Sequence, residues 1–308
     1  MSYEGKMLED LKMPARREVE QALLRSLFKH NGTIKEFGGD EQIVSEIADD
    51  FGLSAEQRAA FLETIYRKEG RVKKSYLWHR LLFRAADSLA NENFISRPTQ
   101  TFLLTNKKEW MLTEKGYSRA LEILNIPLHQ KENLPVKSYE VQKIIKSLVV
   151  KEMPKRYYPF ERSTIKRVTQ ETKLRSRAFR LLIKEAYNYK CAVCGMKIHS
   201  PNGSSWEVEA AHIVPRGANG KDDIWNGLAL CRLHHWAFDV GWFTLTDNFR
   251  ILASDKIKSL PDDYGKFGNF DFMKQLNRED LLILLPKDRH MRPHLAAIRW
   301  HRENIFSL

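Results

Sequence analysis

The chain is poor in cysteine, with 3 in 308 residues, which is too few and the wrong parity for a disulfide framework. It also lacks long apolar runs. The strongest, Leu281 to Leu285, stops at Pro286, well short of the ~18 residues of a membrane span. With 15 glycines and 11 prolines, neither a collagen-like repeat nor a low-complexity tail dominates. The opening stretch, MSYEGKMLEDLKM, has no apolar core and carries acids, unlike a secretory or transit segment. These absences lead us to expect a soluble cytoplasmic chain with no membrane partner.

Acid is the other scarcity. There are 39 Asp and Glu against 51 Lys and Arg, a formal charge of +12. The imbalance is local: residues 1–50 hold 7 basic and 11 acidic side chains, residues 51–200 hold 30 and 14, and residues 201–308 hold 14 of each. A basic stretch of this length inside a balanced chain points to a polyanionic partner, most simply nucleic acid. Charge kept for solubility is the plainer reading.

Apolar periodicity places a helix on Val19, Leu23, Leu24, Leu27 and Phe28, stopped by Asn31-Gly32. A second follows near Glu41–Asp50 on Ile43, Val44 and Ile47. Ser54-x-x-Gln57 reads as a capping box opening a third on Phe61, Leu62 and Ile65. A fourth is expected over about Ser75–Asn91, with Trp78, Leu81, Leu82, Ala85 and Leu89 on its core face. Short strands are then expected at Phe94-Ile95 with Thr101–Leu104, and at Trp110–Leu112, followed by a helix capped by Thr113. Helices followed by a short basic hairpin describe a winged helix-turn-helix. The run WMLTEKG resembles the end of the winged-helix domain found at the N-terminus of Mrr-type restriction proteins. In such a domain the fourth helix would read the DNA groove with Lys73, Lys74, His79, Arg80 and Arg84, and the hairpin would offer Lys107 and Lys108 to phosphates.

Residues 128–173 read as a linker with one amphipathic helix, punctuated by Pro127, Pro135, Pro154 and Pro159. Its KRYYPFERSTIKR stretch interleaves basic and aromatic residues and suits either a DNA backbone contact or a plain connector. The expected division is therefore 1–127, 128–173 and 174–308.

The sharpest signal lies in the last part. A helix on Phe179, Leu182, Ile183, Ala186 and Tyr187 runs into Cys191-x-x-Cys194-Gly195, and Cys231-x-x-His234 supplies a matching half. Two such pairs suit a closed tetrahedral zinc with a structural role. Between them, Trp206–Val214 alternates like a strand delivering His212, a glycine-containing loop leads to Asn226, and Leu228–Leu230 leads to Cys231. His234-His235 opens a helix.

The words CAVCG, EAAHIVP and NGLALCRLHHWAFD closely resemble the HNH nucleases, in the branch typical of restriction endonucleases, across about residues 174–252. The resemblance implies an α+β protein whose C-terminal part is a zinc-stapled ββα-metal domain. It further implies that His212 is the general base, that Asn226 orients its loop, and that His235 binds a catalytic Mg²⁺ or Mn²⁺. Many members carry Asp or His just before the base, where this chain has Ala211. Glu209, on the same side of the strand, and Asp239, one helical turn beyond His235, are the candidate replacement ligands.

The function expected is a metal-dependent endonuclease on double-stranded DNA leaving 5′-phosphate and 3′-hydroxyl ends. Restriction or phage defence would be its role, with modification dependence open. Two other readings stay open: a catalytically silent zinc-containing regulator, and a nuclease directed at RNA or DNA structure. A homodimer would let two sites cut both strands of a symmetric sequence. Trp225, Trp236, Trp242 and Phe243 are expected to pack around the zinc, with a hairpin over Trp242–Leu252. His199, His290 and His294 are expected at the surface, and His301 has no role derivable from spacing.

Overall fold

The computed structural model describes residues 3–37, 42–66, 71–161, 170–201, 205–259, 276 and 281–306. Two compact units divide the chain, Met1–Lys143 and Ile144–Leu308.

The first unit begins with α1 (Tyr3–Asp10) and α2 (Arg16–Lys29). The apolar stripe of α2 is its buried face: Val19, Leu23, Leu24 and Leu27 are all withdrawn from solvent. β1 (Thr33–Lys35), α3 (Gln42–Asp50) and α4 (Ala55–Ala59) follow. Ser54 and Gln57 form the expected capping box, with the Gln57 amide donating to Ser54 Oγ at 3.2 Å and the Ser54 amide donating to Gln57 Oε1 at 2.7 Å.

That helix ends at Ala59, however, and the apolar run that was expected to extend it is a strand. β2 (Phe61–Tyr66) pairs antiparallel with β3 (Arg71–Tyr76). Phe61, Leu62 and Ile65 fit a helical spacing, but the segment is rich in β-branched and aromatic residues, and Ala60 is already extended. Lys73 and Lys74 are consequently strand residues rather than the start of a reading helix.

α5 (Leu77–Asn91) buries Trp78, Leu81, Leu82, Ala85 and Leu89. Next come β4 (Ile95–Ser96), α6 (Pro98–Thr105), β5 (Glu109–Leu112) and α7 (Glu114–Ile123). α6 corrects the expectation of a strand at Thr101–Leu104. Pro98 at the first helical position and the Gln100 side chain, which accepts from the Arg97 amide at 2.9 Å, start a helix there. Asn106 ends it with a left-handed backbone. β1, β5 and β4 form an antiparallel sheet in that order. In the WMLTEKG run, Trp110 and Leu112 point into the core, Thr113 caps α7, and Gly116 is obligatory because a Cβ there would lie 1.8 Å from the Phe94 carbonyl oxygen.

α8 (Tyr139–Val149) runs from one unit into the next. In the second unit, α9 (Gln170–Ala186) buries Ala178, Phe179, Leu182 and Ile183 and packs on the antiparallel pair β6 (Val208–His212) and β7 (Gly227–Cys231). α10 (Arg232–Asp239) leaves β7 without a break. The expected hairpin is present as β8 (Phe243–Leu245) and β9 (Ile251–Ala253). α11 (Leu295–Asn304) completes the unit. Arg162 to Arg167 of the basic KRYYPFERSTIKR stretch lie outside the described residues.

Candidate functional site

Two thirds of the site hangs on one register. His212, the last residue of β6, stands opposite Gly227, the first of β7. A Cβ at Gly227 would sit 2.4 Å from Ile183 and 2.9 Å from the Phe179 ring, so the missing side chain is what lets α9 come close. The Phe179 ring then stacks on the His212 imidazole, with centroids 4.1 Å apart and planes 18° from parallel. His212 Nε2 lies 2.9 Å from Asp222 Oδ1, and Asp222 Oδ2 lies 3.3 Å from Arg216 Nη1.

Asn226 is wholly buried. Its Oδ1 accepts from the Val214 amide at 2.8 Å, and its Nδ2 donates to the carbonyls of Val214 at 3.1 Å and Lys221 at 3.0 Å. With the Ile213 amide donating to its own carbonyl at 3.0 Å, Asn226 ties both ends of the connecting loop directly behind His212.

α10 supplies the facing group. Its first amide, from Arg232, is received by Glu207 Oε1 at 3.0 Å, a carboxylate at a helix N-terminus. His235, half-buried, is bracketed: Nδ1 is 2.9 Å from Glu209 Oε2 and Nε2 is 3.4 Å from Asp239 Oδ2. Burial opposes a charge on His235, but the two carboxylates outweigh it and raise its pKa. The bond from His235 holds Glu209 below the usual carboxylate range against the effect of burial. Asp239 is pushed up by burial and pulled down by the charges of both His235 and His212. Burial prevails, and the net shift of the Asp239 carboxylate is upward. Ala211, the residue before His212, is fully buried.

Behind the ββα unit lies a second cluster. Cys191, Cys194, Cys231 and His234 bring their ligand atoms within 4.8 Å of one another. His234 Nδ1 is 3.0 Å from Cys231 Sγ and 3.6 Å from Cys191 Sγ, and the Cys194 and Cys231 sulfurs are 3.9 Å apart. Gly195 takes a left-handed backbone (φ 72°), and the knuckle docks on the sheet through the Ala192 amide and Ala229 carbonyl at 2.7 Å. Bonds from Cys194 and Cys231 pull the Cys191 thiol far below its ordinary range, the direction that favours a metal-binding thiolate. Three sulfurs and one imidazole converging on a point fit a tetrahedral zinc. Consecutive His234 and His235 face opposite ways, the first to sulfur at 2% exposure and the second to Glu209 and Asp239.

A family model described as HNH endonuclease matches residues 191–246. Residues 191–246 form an HNH-type nuclease domain. A comparison with curated proteins finds no match. Among solved structures the chain is similar to one described as a modification dependent TagI restriction endonuclease, at 26% identity and a TM-score of 0.32, covering 46% of this chain. The alignment spans only 44% of that protein's length. No described helix is long and apolar enough to cross a membrane.

Several residues of the HNH region stand elsewhere than expected. Trp225 and Phe243 are core, but Trp236 is 51% exposed, because its place in α10 faces away from β7. His294 is a helix cap, its Nδ1 accepting from the Ala296 amide at 3.0 Å. His301 is buried flat against Phe238, with centroids 3.6 Å apart, and bonds Thr244 Oγ1 and the Phe238 carbonyl. Nothing in the sequence pattern marks Asp222, or Phe179 beyond its place on an apolar helix face, for the site. Asp222 sits in an Asp-Asp pair, and spacing alone does not say which of the two turns inward.

Several basic residues of the first unit are engaged by acids or rings. Arg80 and Arg84 both pair with Glu4 Oε2 at 2.8 Å, and Glu4 is held below its usual range chiefly by the Arg80 bond. Lys74 lies 3.7 Å from Glu63 and over the Phe61 ring. His79 stands beside the Tyr76 ring. Lys107 and Lys108 are exposed in the turn between α6 and β5. Lys73 lies in β3, and its side chain is outside the described residues.

Proposed function

We propose that the protein is a metal-dependent DNA endonuclease of restriction type, with His212 as general base, Asn226 as the residue that fixes its loop, and His235 as a cation ligand. The observation that carries this reading is the Asp239 carboxylate, 3.4 Å from His235 Nε2 and within the field of His212. It supports a reading in which base and cation ligand serve one cleft.

A Mg²⁺ or Mn²⁺ ion, when bound, neutralises the phosphodiester and the departing 3′-oxygen. Asp239 and His235 would hold it, with water and phosphate oxygens completing the shell. One imidazole cannot give both edges to one ion. Glu209, on the Nδ1 edge, is therefore the carboxylate that orients His235 rather than a ligand. His212 accepts a proton from the attacking water, an imidazole task near neutral pH. Cleavage on that side leaves 5′-phosphate and 3′-hydroxyl ends. The zinc quartet would hold β7 and α10 at their angle.

The first unit is the proposed DNA reader. The sheet order β1-β5-β4, with α5 entering it and α7 closing it, supports a winged-helix type in which α6 and the Lys107-Lys108 turn form the wing. Phosphates alone carry no sequence information, so choice of site or base modification falls to this unit. The restriction role rests on the resemblance of the site's words to that branch of the HNH nucleases. Incubating supercoiled plasmid with the protein and Mg²⁺ or Mn²⁺ should yield nicked or linear product. The His212→Ala variant should shift DNA on a gel without cutting it. Cutting by that variant at the parental rate removes His212 from its role.

A further inference from the structure

Asp222 is a carboxylate at 4% exposure, ten residues past His212, in the loop joining β6 to β7. Its Oδ1 lies 2.9 Å from His212 Nε2, and its Oδ2 forms an ion pair at 3.3 Å with Arg216 Nη1, which also donates to the Gly220 carbonyl at 3.4 Å. The loop is pinned on every side. A Cβ at Gly220 would lie 1.8 Å from the Val214 carbonyl oxygen. The Lys221 amide donates to the Pro159 carbonyl and the Glu161 amide to the Asn219 carbonyl, each at 2.9 Å. Asn226 holds the Lys221 carbonyl. A charge placed in so dry and fixed a position is costly unless its partners are equally fixed.

We infer that Asp222 is the positioning residue of the base, an assignment that rests on the nuclease reading above. A carboxylate offers only acceptors. Asp222 therefore keeps the proton of the neutral ring on Nε2 and leaves the Nδ1 lone pair as the one free to act. Phe179 fixes the plane of the ring and Asp222 fixes its rotation within that plane. In the proton transfer, a water O–H bond breaks and an N–H bond forms at Nδ1. The Nε2 proton stays in its bond to Asp222, whose charge steadies the resulting imidazolium. The ion pair with Arg216 draws the second oxygen to the other side and favours the orientation in which Oδ1 faces His212.

The arrangement makes Asp222→Asn more informative than a truncation. Arg216 is a donor only and stands 3.3 Å from Oδ2, so the carboxamide is expected to turn its oxygen to Arg216 and its NH₂ to His212 Nε2. The ring proton is then driven to Nδ1 and the base is blocked. In the full-length protein, kcat for plasmid cleavage should fall by about 100-fold or more, while KM and DNA affinity stay within about threefold of the parent. The ¹⁵N shifts of the His212 ring, assigned with His212→Ala, should move from an Nε2-protonated to an Nδ1-protonated pattern. Adding Arg216→Ala to Asp222→Asn lets the amide flip and should recover about tenfold of the lost kcat. Parental cleavage by Asp222→Asn, an unchanged tautomer, or DNA affinity lost in step with kcat overturns the assignment. If the parent itself cuts no nucleic acid, the nuclease reading fails, and the tautomer shift still decides whether Asp222 governs the ring.

Discussion

The two units use their acids in opposite ways. In the second, acids are aimed at imidazoles: Asp222 at His212, and Glu209 and Asp239 at His235. In the first, Glu4 answers two of the cations whose spacing suggests a DNA-reading helix, Arg80 and Arg84. The residues of a short motif can thus converge as a chemical site, while a charged helix face assembled from periodicity alone can be covered by a segment far away in the chain. Chemistry is concentrated in the second unit, and its structural dependence on metal should differ accordingly.

The largest break in the comparison is metal removal. Chelation or Cys191→Ser should abolish cooperative unfolding of residues 144–308 and leave that of 1–143. Structural zinc contributes about 10–16 kcal/mol of binding energy, of the same order as the whole stability of a domain. Calorimetry of the full chain with and without chelator checks this, and a single unchanged transition contradicts it.

A smaller contrast comes from acid. His301 is held down to about 4 by burial, against the Phe238 carbonyl bond. Its folded pKa is depressed, so between pH 6.5 and 4 the unfolded chain takes up a proton that the folded one refuses, and stability falls as pH falls through that window. The loss should be about 3 kcal/mol, confined to the second unit, and flattened in His301→Gln. Urea midpoints at pH 7 and 4 measure it.

A sharper probe of the first unit is Glu4→Gln, which releases Arg80 and Arg84. If α5 faces DNA, affinity at low salt should rise about two- to fivefold and its salt slope should steepen. Unchanged binding in a filter assay moves the DNA face elsewhere. The least effect is expected at Asp247, which Arg299 and Arg302 pull down to about 2. A depressed carboxylate contributes fully above its unfolded pKa, and the contribution is lost as pH falls through its folded pKa. Asp247→Asn should therefore lower Tm by no more than a few degrees at pH 7, since the pair is exposed and screened, and by less near pH 2.

Legibility followed the range of the interactions. The Ser54 capping box, the Thr113 cap and the Cys/His quartet are local or short-spaced, and the residue types alone disclose them. The run from Phe61 to Ile65 satisfies helical and extended spacing alike, and only its pairing with β3 decides. Thr101–Leu104 has strand-like residues but lies behind Pro98 and Gln100, whose helix-starting geometry wins. Glu4 meets Arg80 across 76 residues, and no pattern in the chain announces that. The His212 neighbourhood divides the same way. Asn226 is visible by motif, whereas Phe179 reaches His212 only because a glycine opposite it lets α9 approach, and Asp222 reaches it only through the fold of the β6–β7 loop.

The most direct measurement is Mn²⁺ binding set beside single-turnover cleavage of a labelled duplex for the parent, His212→Ala and His235→Ala. The account predicts that His212→Ala keeps Mn²⁺ binding and loses cleavage, while His235→Ala loses both. A His235→Ala protein that still binds Mn²⁺ and cuts as the parent does would contradict a cleft shared by the two imidazoles.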